Sequence, residues 1–189
     1  MLTVMNILRR TPQPSLEFQC RAVALVVLLG AGHANAASAQ LQCQFSVPGR
    51  VTLGQAVWLR LSLVNRSTDS LQVLKWGTPF EGWLAPFVSL KFEGRELDYQ
   101  GPVVKRGGPS VADYLALAPQ KKRSAKVNLA MVFDLTRAGR YELVPRMHLY
   151  DVKAVKPKDP VSVDSLIGQD VNCPSMAFEM VAPEKLPTR

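Results

Sequence analysis

Every second residue is a branched aliphatic one in the segment Val57-Trp58-Leu59-Arg60-Leu61-Ser62-Leu63. Successive side chains of a β-strand point to opposite faces, so the aliphatic residues share one face and Trp58, Arg60 and Ser62 share the other. This segment therefore predicts a β-strand with one apolar face.

The same period recurs along the chain. Alternating segments cover residues 71–75, 88–92, 95–99, 127–133, 141–149 and 176–180. The dipeptide Glu93-Gly94 separates two of them and predicts a β-hairpin. The 127–133 segment is expected to place Met131 on an apolar face with Val127, Leu129 and Phe133. About seven short strands separated by Pro and Gly predict an all-β sandwich or barrel.

One local signature favours the immunoglobulin-like sandwich over the barrel. In Asp134-Leu135-Thr136-Arg137-Ala138-Gly139-Arg140-Tyr141, a tyrosine follows a glycine turn at the start of a strand. This arrangement is typical of a tyrosine corner, in which the phenol bonds to the backbone a few residues upstream. Tyr141 is also compatible with an ordinary core position. The expected fold class is an all-β, immunoglobulin-like antiparallel β-sandwich.

The first residues indicate export. Arg9, Arg10 and Arg21 precede the apolar run 22–29, which leads to small residues at Ala34-Asn35-Ala36. This order is typical of a signal peptide, and the run is shorter than the ~20 apolar residues that span a bilayer. We expect a signal peptide over 1–36, cleaved after Ala36 or Ala39, and one domain over 37–189. The mature protein is expected to be secreted or periplasmic, with no stable membrane anchor.

Two cysteines remain after such cleavage, Cys43 and Cys173. An isolated pair in an oxidising compartment predicts a disulfide, whereas buried free thiols are the alternative.

The mature domain keeps 20 basic and 14 acidic residues, a net charge of +6. This excess favours acidic partners, anionic surfaces or solubility. Because the basic residues are scattered and aromatic residues are few, the sequence does not favour a nucleic-acid partner.

Residues suited to catalysis are sparse. His148 is the one histidine of the predicted mature chain, and no phosphate-binding glycine loop, G-x-S-x-G or H-E-x-x-H motif is present. We expect no enzyme activity, no metal site and no cofactor. A triad using His148 and a pair of turn carboxylates remain formal alternatives.

An aromatic segment, Leu74 to Trp83, is the first candidate for partner binding. Its predicted contact residues are Trp76, Thr78, Pro79, Phe80 and Trp83, joined by Lys105 and Arg106 from a basic turn-rich loop. Large apolar groups in a loop rich in Gly and Pro are hard to bury fully. The alternative is that Trp76 fills the core of the sandwich. For Phe80 and Trp83, a core position and a partner-contact position are equally compatible with the sequence.

Two further segments are not expected to be strands. Ser110 to Tyr114 predicts one helical turn capped by Ser110. The connection from Asp151 to Asn172 carries Lys153, Lys156 and Lys158. A connection of this length in a compact domain is usually functional or disordered.

A set of segments between about residues 45 and 149 has a specific order and spacing: Val73–Gly82, Leu97–Gly101, Lys105-Arg106, Pro109, Asp113-Tyr114, Phe133-Asp134-Leu135 and Gly139-Arg140-Tyr141. Together these segments resemble the amino-terminal region of bacterial deuterolysin-type zinc endopeptidases. In those enzymes this sandwich-like region precedes the catalytic domain and looks like a propeptide. The family's H-E-x-x-H zinc motif is missing here, so the resemblance transfers no catalytic residue.

The resemblance implies a relative of an accessory domain that restrains a protease or helps it to fold. We therefore expect an exported, non-catalytic protein-binding domain, an inhibitor or folding partner of a secreted zinc metalloprotease. The alternative function is a structural or adhesive module of the cell envelope, whose Lys-rich 151–172 connection binds anionic surface polymers.

Overall fold

The computed structural model describes residues 40–154, 156 and 161–184. The predicted signal peptide, both predicted cleavage sites and Lys158 lie outside the described residues. Among the residues described, no helix combines the length and the apolar character needed to cross a membrane.

The described part of the chain is built from short strands. Eight of the thirteen strands have four or more residues, close to the seven expected from the sequence. The strands are β1 (Leu41–Ser46), β2 (Arg50–Thr52), β3 (Trp58–Asn65), β4 (Leu71–Leu74), β5 (Val88–Phe92), β6 (Arg95–Glu96), β7 (Tyr114–Leu117), β8 (Lys122–Asn128), β9 (Gly139–Pro145), β10 (His148–Leu149), β11 (Val152–Lys153), β12 (Gln169–Asp170) and β13 (Met176–Val181). Turns of 3-10 helix lie at Val111–Asp113, Leu129–Met131 and Val163–Ser165.

Two sheets form the body of the sandwich. One has three strands in the order β1-β3-β8, and the other has five in the order β2-β13-β9-β5-β6. A three-stranded sheet β11-β4-β7 and a small β10-β12 pair complete the described strands. Pairing is antiparallel except between β13 and β2, which run parallel. The expected fold class, an all-β immunoglobulin-like sandwich, is confirmed.

One apolar core lies between the two main sheets. The aliphatic residues on the inward face of β3 are fully buried and pack in the same cluster as residues of β9 and β13. These inward residues are Val57, Leu59, Leu61 and Leu63 from the β3 segment and Tyr141, Leu143, Phe178 and Met180 from the opposite sheet. Burying a leucine contributes roughly 1.5–3 kcal/mol, so this interface dominates the stabilisation of the domain.

Tyr141 anchors the start of β9. Its hydroxyl donates a hydrogen bond of 2.9 Å to the carbonyl of Arg137, four residues upstream, which is the contact that defines a tyrosine corner. Its ring stacks on Phe178 with centroids 5.2 Å apart. The Arg137 guanidinium lies 4.2 Å from the centroid of Phe92, whose ring also contacts Tyr141. These contacts fix the turn that leads into the five-stranded sheet.

The turn at Glu93-Gly94 and the strand that follows it can be compared with the boundaries expected from the alternation. The hairpin at Glu93-Gly94 is confirmed, because both residues have the positive φ that a two-residue type I′ turn requires. The following strand is shorter than expected, since β6 ends at Glu96 and does not reach Tyr99.

The expected strand over 127–133 is wrong beyond Asn128. The Asn128 side chain accepts hydrogen bonds from the backbone N–H of Val57 and of Ala130, and so caps a 3-10 turn that ends the strand. The turn carries Met131 away from the core and leaves 71% of it exposed. The apolar period alone did not reveal this competing side-chain bond.

A disulfide joins Cys43 in β1 to Cys173, which lies shortly before β13. The two Cα atoms are 5.0 Å apart and 130 residues apart in the chain. Both cysteines are buried in the core cluster. The bond therefore ties the outer strand of one main sheet to the segment that enters the other.

Replacing both cysteines, Cys43→Ala/Cys173→Ala, is expected to lower the free energy of unfolding by about 5 kcal/mol, because closure of so long a loop restricts the unfolded chain. Urea denaturation of the variant and the wild type measures this difference. A loss below about 1 kcal/mol would contradict the structural role given to the disulfide.

Candidate functional site

The aromatic segment expected to bind a partner folds back on itself. Two residues with positive φ, Gly77 and Gly82, turn the backbone. The Thr78 hydroxyl donates to the carbonyl of Lys75 at 2.6 Å and accepts from the N–H of Phe80 at 3.2 Å. Consecutive turns of this kind direct the large side chains of the segment inward.

Trp76 lies in a small cluster separate from the main core. Its partners there are Leu74, Tyr114 and Val161. The Arg106 guanidinium lies 4.8 Å from the indole centroid and forms a 2.6 Å ion pair with Glu81, which also accepts a bond from the N–H of Gly77. Arg106 is therefore occupied by contacts within the domain.

Trp83 belongs to the main core. Its ring stacks on Phe87 with centroids 4.4 Å apart and planes nearly parallel. Its indole N–H donates a 2.9 Å hydrogen bond to the carbonyl of Asn128. The polar atom of the indole is thus satisfied inside the protein.

Most of the seven predicted contact residues lie at least partly inside the domain, and Trp76 and Trp83 take the core alternative. Trp76, Thr78, Pro79 and Trp83 are buried, and Phe80 and Arg106 are half-buried. Lys105 is the exposed member of the seven. The physical reason is that the turns and the Arg106–Glu81 pair close the loop over its own aromatic groups.

Asp151 is a buried charged residue that the sequence did not reveal. Its carboxylate accepts hydrogen bonds from the Tyr114 hydroxyl at 2.6 Å and the N–H of Ile167 at 3.1 Å, and pairs with Lys153 at 3.0 Å. Burial, the hydrogen bond to Asp151 and the charge of Asp151 together raise the pKa of Tyr114 above its ordinary range, so this phenol stays protonated. Nothing in the local sequence distinguishes Asp151 from a solvated turn aspartate.

The 151–172 connection is partly organised around this aspartate. It contributes β11, β12 and a 3-10 turn, and places Val161 and Val171 in buried positions. Lys153, expected to be free for anionic polymers, is instead engaged by Asp151, whereas Lys156 is exposed. The expectation that this connection is free of strands is therefore wrong at β11 and β12.

His148 lies at the edge pair β10-β12. Its Nδ1 is 2.8 Å from a carboxylate oxygen of Asp170, and its ring meets Tyr150 edge to face. The His148 side chain is 44% exposed, and its Nε2 lies beside Gly168, where a Cβ would come within 2.5 Å of it. Across the described ranges, no group of three or more His, Cys, Asp or Glu side chains is arranged to hold a metal ion.

The outer face of the β1-β3-β8 sheet is the most exposed candidate surface. Trp58 projects from it with 46% of its surface exposed. One depression beside Trp58 is lined by Ser46, Val47, Pro48, Arg60 and Lys126, and a second by Gly82, Trp83, Pro102, Lys126, Val127, Asn128, Met131 and Val132. We call this surface the Trp58 face. The alternation in the sequence placed Trp58 opposite the core, which was the signal that could have identified it.

Comparisons with known proteins give a limited result. No family model matches the chain. An extracellular protease of Aeromonas hydrophila is 27% identical over 130 residues, which are 65% of this chain and 37% of that protease. The chain thus spans little more than a third of this relative. The match shows similarity to part of an extracellular protease. It does not show that this part belongs to a deuterolysin-type enzyme.

Distant likenesses are found among solved structures. The CARDB domain of the PF1109 protein from Pyrococcus furiosus, solved in complex with di-metal ions, has a TM-score of 0.32 and 12% identity, covering 75% of this chain and 91% of that domain. A β-glucosidase from Listeria innocua has a TM-score of 0.32 and 11% identity, covering 74% of this chain and 16% of the enzyme. Neither likeness carries a functional argument.

Asp151→Asn is expected to lower the free energy of unfolding by about 3 kcal/mol, because it removes one partner of a buried ion pair and leaves Lys153 uncompensated. Thermal or urea denaturation measures the change. Asp170→Asn, at the exposed edge beside His148, is the matched control and should change stability by no more than about 0.5 kcal/mol. Equal effects of the two changes would show that Asp151 is not a structural anchor.

Proposed function

We propose that this chain is an exported, non-catalytic domain that binds a secreted metalloprotease as its inhibitor or folding partner. The observation that carries the proposal is the match of 130 residues to part of the Aeromonas hydrophila extracellular protease. A domain similar to a minor part of a protease is suited to contact the remainder of such an enzyme. The resemblance to the propeptide-like region of deuterolysin-type peptidases supports the same role.

Export is supported by the covalent structure. The Cys43–Cys173 bond is typical of secreted and periplasmic proteins, because cytosolic reductants keep such thiols reduced. The basic, apolar and small-residue order before residue 37 agrees with this location.

The rigidity of the domain suits a binding role. The central strand of the Trp58 face is β3, whose inner residues Leu59, Leu61 and Leu63 are fully buried, so little backbone freedom is lost when a partner docks. Trp and Met, the two large exposed side chains on this face, are residue types enriched in protein interfaces.

Direct binding to the Aeromonas hydrophila extracellular protease tests the proposal. Residues 37–189 should form a stoichiometric complex with the protease held inactive by an active-site inhibitor, detected by size-exclusion chromatography with light scattering. Added to the active enzyme in molar excess, the domain should lower the turnover rate, or added during refolding it should raise the yield of active enzyme. An unrelated serine protease is the control and should show none of these effects.

Absence of a complex at tens of micromolar, together with no effect on turnover or refolding, would overturn the proposal. Binding to an anionic envelope polymer in place of the protease would support the adhesive alternative.

A further inference from the structure

The Trp58 face carries positive charge, and within the part of the chain that the structure describes Arg60, Lys122 and Lys126 form no ion pair with an acidic side chain. Its eleven outward strand positions hold no acidic residue: Gln42, Gln44, Ser46, Trp58, Arg60, Ser62, Val64, Lys122, Ser124, Lys126 and Asn128. Arg60 stands directly opposite Lys126 in the β3–β8 register. Like charges directly opposite each other destabilise a sheet, so an anion bound between them would relieve a repulsion within the domain.

The opposite side of the sandwich is arranged differently. On the five-stranded sheet, basic and acidic side chains form exposed pairs: Arg50 with Glu179 at 3.3 Å, Arg140 with Glu142 at 3.5 Å, and Arg146 with Glu96 at 3.2 Å. Such pairs contribute little to stability but neutralise the local potential. The two faces therefore differ in their attraction for acidic partners.

Trp58 adds an oriented apolar group beside the two cations. The Lys126 ammonium lies 4.8 Å from the indole centroid, a cation–π contact that holds the ring in place. Met131, displaced from the core by the Asn128-capped turn, lines the same depression as Trp58 together with Pro102 and Val132. Apolar contact area and positive charge are thus adjacent on one rigid surface.

This juxtaposition indicates the chemistry of the partner. Carboxylates match Arg60, which offers a two-pronged donor, and Lys126, which offers a point charge. An apolar side chain matches the depression lined by Trp58 and Met131. An acidic polysaccharide would use the cations and the indole but would leave the Met131 depression unfilled.

We infer that the Trp58 face is the docking surface for the partner protein and takes a segment that presents an apolar side chain flanked by carboxylates. The inference rests on the proposed function and specifies its surface and its chemistry.

Two variants test the inference by calorimetric titration with the inhibitor-inactivated Aeromonas hydrophila protease. Trp58→Ala should weaken binding about 30-fold, the effect of losing a central interface tryptophan. Arg60→Ala/Lys126→Ala should weaken binding about 10-fold at low salt and flatten its dependence on ionic strength, because two screened attractions are lost.

Matched controls come from the rest of the surface. Arg50→Ala/Arg140→Ala removes the same charge from the opposite sheet, and Ile167→Ala shortens an apolar side chain elsewhere that is more exposed than Trp58, 72% against 46%. Both should leave the affinity within about threefold of wild type. All four variants change side chains outside the core, and their melting temperatures are measured to show that each is folded.

The possible outcomes separate the inference from the function it rests on. If the wild type binds the protease and the Trp58-face variants bind equally well, the inference is wrong and the proposed function stands. If the wild type does not bind, the proposed function fails. The face is then titrated with a synthetic Glu-Glu-Leu-Glu-Glu peptide and with polygalacturonate. Peptide binding lost in Trp58→Ala supports the inference, whereas binding of polygalacturonate alone, or of neither probe, overturns it.

Discussion

Burial of one face of β3 is the constraint on which the rest of this structure depends. Its aliphatic residues are fully buried because β1 and β8 flank the strand and the five-stranded sheet covers it. Side chains of a strand alternate strictly, so the residues between them must point outward. The exposure of Trp58 and Arg60 is therefore a geometric consequence of core packing, and a register slip of one residue would exchange the core and the candidate binding surface.

The features predictable from the sequence are those set by near neighbours or by simple chemistry. The period of two predicted the inward face of β3, the Glu93-Gly94 pair predicted the hairpin, and the expectation of an oxidising compartment predicted the pairing of Cys43 with Cys173. Each depends on residue type and spacing alone.

The features that the sequence left open or did not reveal depend on contacts between distant segments. Trp83 is buried because its indole N–H finds the carbonyl of Asn128, 45 residues away, and Trp76 is covered by Arg106 from another loop. Asp151 is buried because Tyr114 and Ile167 supply its hydrogen bonds. No local pattern distinguishes these residues from exposed ones, since their partners are chosen by the tertiary fold.

The distribution of charge follows from the same contacts. From the sequence, Arg106 and Lys153 were expected to be available to a partner. In the structure, Arg106 pairs with Glu81 and Lys153 pairs with Asp151, and each ion pair fixes a loop. On the Trp58 face, by contrast, the basic residues Arg60, Lys122 and Lys126 have no acidic neighbour among the outward strand positions, and all three lie on strands. Strands hold side chains more precisely than loops do, so the surface best suited to recognition lies on the sheet rather than in the aromatic segment.

The disulfide contributes to this precision. Cys43 lies in β1 between Gln42 and Gln44, and its bond to Cys173 fixes the edge of the sheet that carries the Trp58 face. Formation of this bond therefore stabilises both the fold and the surface that we propose for partner binding.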